Sequence, residues 1–224
     1  IVTSAANQIT VSLPLANADV IEFQIGEPVQ TTYAEALHFD GVNDVLEGPA
    51  EVIPTFGPFT VSVWAKQDNF QSGTVKNILS QGRHFYIGPL YDDTLRIGDD
   101  WYDTHFAWPT DNNWHNYAVV RTEKNTYFYF DGSLAATAGF AIPNPVAEPQ
   151  SGNPVATLYV GSQFTGTDEL WQGAIDELRI WARPLCAAEV AANYACQISQ
   201  PSTGLVAAYN FTQGVAGGNN VDIT

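Results

Sequence analysis

The side chains able to do chemistry gather in two places. Residues 91–108, YDDTLRIGDDWYDTHFAW, bring five aspartates together with two tryptophans, a second tyrosine and a histidine. A sugar offers one flat apolar face and a rim of hydroxyls, so it is held by an aromatic platform flanked by carboxylate, amide or imidazole partners. This stretch supplies both. The candidate ligand residues are Asp99, Asp100, Trp101, Tyr102, Asp103, His105 and Trp108, with Arg83 and Tyr86 of GRHFYIG on a neighbouring strand. Each ring could instead fill the core, and each aspartate could be a solvated turn residue. The second place is ALHFDGVND, residues 36–44. There Asp40 could close its own turn by Asx hydrogen bonding, with Gly41 supplying a positive φ. The same oxygens could instead serve a cation.

Catalysis lacks candidates. A retaining glycosidase needs two carboxylates roughly 5–5.5 Å apart, most simply from alternating acids on one strand. In DELWQG (168–173) and AIDELRI (174–180) the acids are adjacent and project to opposite faces. His38, His84, His105 and His115 show no metal-ligand spacing, and no G-x-S-x-G elbow occurs. The chain is expected not to be an enzyme.

Composition narrows the partners. The 224 residues carry 24 acids against 8 lysines and arginines, a formal charge of −16, so approach to nucleic acid or an anionic leaflet is opposed electrostatically. Only 14% of residues are charged, against roughly 25% in typical soluble domains. The surface must therefore rely on Ser, Thr, Asn, Gln and Gly, a texture that fits a secreted or cell-surface protein. No apolar run is long enough to span a bilayer, so membrane insertion is not expected. Opening at Ile1 with no signal-like segment, the chain reads as part of a longer parent with other modules. If exported, Cys186 and Cys196 are expected to form a disulfide rather than remain free thiols.

The elements that position these residues are mostly strands. Period-two alternation marks QITVSL, VIEFQIG, FTVSVWAK, HNYAVVRT, NTYFYFDG, ATLYVGS, GAIDELRIWAR and GLVAAYNF. PTDNN (109–113) and the proline-rich 143–154 read as loops. Only 184–195, with Pro184 near its start, reads as a helix. Many short strands and one late helix predict an all-β antiparallel sandwich.

The ordered set ALHFDGVNDVL, FTVSVWAK, ILSQG, NWHNYAVVRT, YFYFDGSLA, LYVGS and GAIDELRIWARPL, followed by the helix before Cys196, resembles the laminin G-like, concanavalin A-like jelly-roll superfamily of secreted bacterial multidomain proteins. The resemblance covers about residues 34–196. It implies a two-sheet jelly roll over 34–200, preceded by strands or the end of another module at 1–33 and followed by a strand and tail at 201–224 that pack on the sandwich. It implies a structural Ca2+ held by Asp40 and Asp176, with Asn43 and Asp44 as supplementary ligands. Calcium suits such an oxygen set. It also implies that ligand lies on the concave sheet or the edge loops, and that Trp64, Trp114 and Trp181 are framework packing. The expected function is a non-catalytic carbohydrate-binding module recognising polysaccharide or glycan. The alternative is an adhesion or spacer module gripping a protein.

Overall fold

The computed structural model describes residues 2–5, 8–11, 21–23, 36–98, 102–149, 154–163, 165–194 and 202–211. The chain divides into two compact units, Ile1–Glu35 and Ala36–Thr224. In the first, β1 (Val2–Ala5), β2 (Gln8–Val11) and β3 (Ile21–Phe23) form a three-stranded antiparallel sheet in that order.

The second unit is the sandwich. It runs through β4 (Leu37–Asp40), β5 (Leu46–Ala50), β6 (Phe59–Gln67), β7 (Leu79–Gln81), β8 (Phe85–Pro89), β9 (Thr94–Ile97) and β10 (Asp103–Ala107). There follow β11 (His115–Arg121), β12 (Thr126–Phe130), β13 (Ser133–Ala138), β14 (Thr157–Val160), β15 (Gln172–Trp181), α1 (Ala187–Tyr194) and β16 (Leu205–Tyr209). One sheet has six strands, β10-β9-β8-β7-β14-β5; the other has seven, β13-β12-β11-β6-β15-β16 with β4 also paired to β15. All pairings are antiparallel. The result is the expected all-β jelly-roll sandwich, with one short helix among the described residues.

Alternation explains the central layer. Phe59, Val61, Val63 and Ala65 of β6 meet Leu79, Phe85, Ile87, Leu95, Ile97, Leu158 and Val160 of the facing sheet in one core. Each fully buried aliphatic side chain there is worth about 1.5–3 kcal/mol relative to exposure. The opposite face of the seven-stranded sheet is covered too: Ala118, Val120, Tyr129 and Trp181 pack with Leu185 and with Val190 of α1. Thr60 ties that layer down, its hydroxyl donating to the Arg183 carbonyl at 2.9 Å and accepting from the Leu185 N–H at 2.9 Å.

The helix begins later than the sequence suggests, at Ala187 rather than near Pro184. Leu185 is buried and Cys186 takes the cap: its N–H donates to the Glu189 carboxylate at 2.8 Å while its carbonyl accepts from Val190 N–H at 3.0 Å. This is half of a capping box. Arg183 clamps the same carboxylate through two nitrogens at 2.7 and 3.0 Å. Where β15 crosses β6, Gly173 has φ +144° and a Cβ there would sit 2.1 Å from the Lys66 carbonyl oxygen, so only glycine fits.

Candidate functional site

The turn after β4 is an Asx turn. One Asp40 oxygen accepts from Val42 N–H at 2.7 Å and Asn43 N–H at 3.2 Å, while Asp40 N–H donates to the Asp44 carboxylate at 2.9 Å. Gly41 has φ +78°. The Val42 and Asn43 N–H groups hold the Asp40 carboxyl below the usual carboxylate range. Its expected partner lies elsewhere. In the β4–β15 ladder Asp40 faces Gln172, whereas Asp176 is four residues further along β15, opposite Trp64 of β6. Four extended residues span about 13 Å, and calcium binds its oxygens at about 2.3–2.6 Å. Asp176 is half-buried, its oxygen accepts from Glu177 N–H at 2.7 Å, and burial pushes its carboxyl up to about 6. Among the described residues no group of three or more His, Cys, Asp or Glu side chains converges. Asp40 and Asp176 thus stand at ladder positions four residues apart along β15, while Asp40, Asn43 and Asp44 share the turn after β4.

The aromatic stretch divides in an unexpected way. Asp99, Asp100 and Trp101 lie outside the described residues, as does Cys196; the Cys186 thiol is exposed at the start of α1. β9 and β10 pair antiparallel at the edge of the six-stranded sheet, where Asp103 lies opposite Arg96. Trp108 points inward and is 3% exposed. It stacks on Tyr117 at 5.1 Å and meets Trp171 edge-on at 6.0 Å, and its indole N–H donates to Gln67 at 2.6 Å. Tyr86 is also buried, 4% exposed, under the Arg96 guanidinium 4.9 Å from its ring centre. Neither ring can be a surface platform. Tyr102 is half-buried, edge-on to Phe140 at 5.5 Å. His105 is exposed at a positive φ of 53°, and Arg83 is exposed with a guanidinium nitrogen 3.3 Å from Glu148.

The framework tryptophans divide as well. Trp181 is fully buried, while Trp64 is half-buried and stacks on Tyr194 at 5.2 Å. Trp114 departs from packing: it is 39% exposed, since it stands before β11 rather than within it.

The outer face of the six-stranded sheet is sealed by a polar network. Arg96, from β9, donates to Glu169 at 2.7 Å and to the Asn77 amide oxygen at 3.2 Å, and the Asn77 side-chain N–H reaches the same Glu169 oxygen at 2.5 Å. Glu169 sits at φ +52° in the loop before β15, which lays its carboxylate over the sheet.

Two exposed aromatic rings among the described residues lie on loops that are tied to one another. The Asp93 carboxylate accepts from the Ser72 hydroxyl and, at 2.8 Å, from Gly73 N–H; its carbonyl accepts from Trp108 N–H at 2.8 Å. Asn112 accepts from Phe70 N–H at 3.3 Å. These bonds tie 70–73, 90–93 and 108–114 together. On these loops Tyr91 is 75% exposed and Trp114 39% exposed, and Gln71, Asp92, Asp111, Asn112 and Asn113 are exposed as well. An aromatic face beside fixed acceptors and donors is the equipment a pyranose or furanose needs. Tyr91 opens the stretch singled out in the sequence, and its place in a turn beside two aspartates was the available signal of exposure. Trp114 follows PTDNN, whose turn chemistry carried the same message.

A family description, Concanavalin A-like lectin/glucanases superfamily of laminin G type, matches residues 40–191. Among solved structures, domain 4 of AbnA, a GH43 extracellular arabinanase from Geobacillus stearothermophilus solved with arabinotriose, shares 22% identity at TM-score 0.54 over 70% of this chain and 75% of that one. A Bacteroides ovatus protein assigned a carbohydrate-binding role shares 16% identity at TM-score 0.64, over 93% of this chain and 59% of its own length. Trypanosoma rangeli sialidase shares 13% at TM-score 0.55, over 74% of this chain and 28% of its own. These likenesses are of fold. No curated protein matches the chain in sequence. Among the described residues no helix is long and apolar enough to cross a membrane.

Proposed function

Because the chain belongs to the concanavalin A-like lectin/glucanase superfamily, we propose that it is a non-catalytic carbohydrate-binding module of a secreted or cell-surface protein, gripping polysaccharide at the loop end that bears Tyr91 and Trp114. The observation that carries this reading is the pair of exposed rings on three cross-linked loops, among acids and amides that can hydrogen-bond a hydroxyl rim. The arabinanase domain bound to arabinotriose and the carbohydrate-binding assignment of the Bacteroides protein support it. The sheet face contributes less, because Tyr86 and Arg96 are sealed beneath Glu169. Three of the described acids, Glu169, Glu177 and Glu189, are each paired with an arginine.

The test is retardation of the protein in native gels impregnated with a panel of polysaccharides, arabinan included. Truncating one ring of a sugar platform costs about 1–2 kcal/mol, hence about tenfold in affinity. Tyr91→Ala and Trp114→Ala should each lose most of the retardation while melting like the parent. Full retardation in both variants would place the glycan elsewhere, and a well-folded parent retarded by no polysaccharide would favour protein adhesion.

A further inference from the structure

The loop that carries Trp114 is fastened at its root by an imidazole held between two carboxylates. His115 opens β11, and its Nδ1 lies 2.8 Å from an Asp131 oxygen while its Nε2 lies 3.0 Å from an Asp111 oxygen. Its ring leans on Phe130 at 4.6 Å between centres. Carboxylates only accept, so satisfying both requires a ring with two N–H groups, which is the imidazolium. A neutral ring has one N–H and must turn a lone pair towards one carboxylate.

The two arms are unequal. Asp131 is also fixed by Asn116 N–H at 2.8 Å and is 30% exposed at its side chain. Asp111 is 50% exposed, and its other backbone partner, Asn113 N–H at 3.0 Å, belongs to the same loop. When the ring loses its proton, the remaining N–H stays with the anchored Asp131, and the Asp111 arm opens. Asp111 sits in the segment Pro109–Trp114 that also contributes Asn112 to the neighbouring loop.

We infer that Asp111, His115 and Asp131 form a protonation latch that fastens the Trp114 loop when the ring is charged and releases it when neutral, so that the glycan surface is ordered under mildly acidic conditions and loosened under alkaline ones. The inference rests on the proposed glycan site for its consequence but not for its mechanism. The titratable groups that act on the ring are Asp111 from the loop and Asp131 from the β12–β13 turn; Tyr117, two residues further along β11, is held protonated by burial and by the same two carboxylates. Burial pulls the His115 pKa down, but hydrogen bonds and charge from Asp131 and Asp111 outweigh it and leave the pKa raised.

The experiment uses the full chain in two arms. Amide-exchange protection factors of residues 110–114, corrected for intrinsic rates, are measured across pH 5–9 in the parent, in Asp111→Asn and in His115→Gln. The parent should lose protection by roughly tenfold on passing through the pKa of His115, the worth of one charge-assisted hydrogen bond. Asp111→Asn should be poorly protected throughout, with a lowered His115 pKa by NMR titration of the ring. Protection that is flat in pH, or a parent and Asp111→Asn that behave alike, overturns the latch. The second arm is arabinan-gel retardation at pH 5.5 and 8.5. PH-dependent protection with equal retardation keeps the latch and removes Trp114 from the glycan site. Retardation that weakens at pH 8.5 in the parent, and at both pH values in Asp111→Asn, supports the whole chain of inference.

Discussion

Asp40 lies across the ladder from Gln172, four residues short of Asp176 on β15. A shared ion would need the two carboxylates within a few ångströms. Asp176→Asn should therefore leave the difference between melting curves in chelator and in millimolar calcium unchanged. Asp176→Asn keeps the oxygen that accepts from Glu177 N–H and removes a charge that burial disfavours, so the variant should melt higher than the parent at pH 8 and equally at pH 4. A calcium-dependent melting temperature abolished by Asp176→Asn would defeat this account.

The dependence of stability on pH follows from four groups. Asp176, pushed up to about 6 from 3.8, favours the fold fully below its ordinary value, and that contribution is lost as pH rises through about 6. His115, raised by its carboxylates, acts in the same direction, its contribution lost above the raised pKa. Asp111 and Glu189 are held down to about 2, by Asn113 N–H and His115 in one case and by Arg183 and Cys186 N–H in the other. Their contribution is present above the unfolded carboxylate values and fades as pH falls through about 2. Thermal melts from pH 3 to 9 should peak at about pH 4.5 and decline above it. A melting temperature still rising at pH 8 would contradict the assignment.

The tryptophans should separate by burial. Trp181→Ala empties a fully buried site and removes an indole N–H donated to Ser202 at 3.3 Å; it should cost about 3–5 kcal/mol. Trp64→Ala loses a half-covered stack on Tyr194 and should cost about 1–2 kcal/mol. Trp114→Ala should be silent in denaturant titration. Equal losses at Trp114 and Trp181 would show that Trp114 is structural.

Glu169→Ala strips a nearly buried guanidinium of its carboxylate, since the Arg96 side chain is 5% exposed and that of Glu169 21%. Removing one partner of such a pair typically costs about 3 kcal/mol. The double variant Arg96→Met, Glu169→Leu should recover much of the loss, because it leaves no orphaned charge. Urea unfolding of the three proteins decides it.

Strands whose apolar residues alternate were legible and short strands without alternation were not. Alternation located β6, β11, β12, β15 and β16, whereas β7 and β8 are buried along their whole length, so LSQ and FYIGP show no period to read. The order of the motifs identified the fold and brought β4 beside β15, but register depends on backbone geometry that no motif states. The ladder between β6 and β15 shifts between Asp176 and Arg179, and β4 ends opposite Gln172. The ring at Trp108 was misread for a related reason. An aromatic among aspartates looks the same in sequence whether the strand end turns it towards Gln67 and Tyr117 or towards water. Tyr91 and Trp114 are exposed because their loops are tied to one another rather than to the core, a tertiary fact. The Asp111 and Asp131 carboxylates meet at His115 only because β11 and β12 form a hairpin.

β4 and β16 lie end to end along one side of β15, with Leu37 opposite Ile175 and Tyr209 opposite Leu178. Both run antiparallel to β15, so the exit of β16 points at the start of β4 across a gap of two β15 residues, Asp176 and Glu177, roughly 10 Å from Leu178 to Ile175. The sandwich thus has a built-in seam. A few glycines joining residue 210 to residue 36 would turn the two strands into one, and a circularly permuted chain reopened between β13 and β14 would keep every ladder pairing of the sandwich. The edge on which the first and last strands meet is where covalent order matters least to this fold.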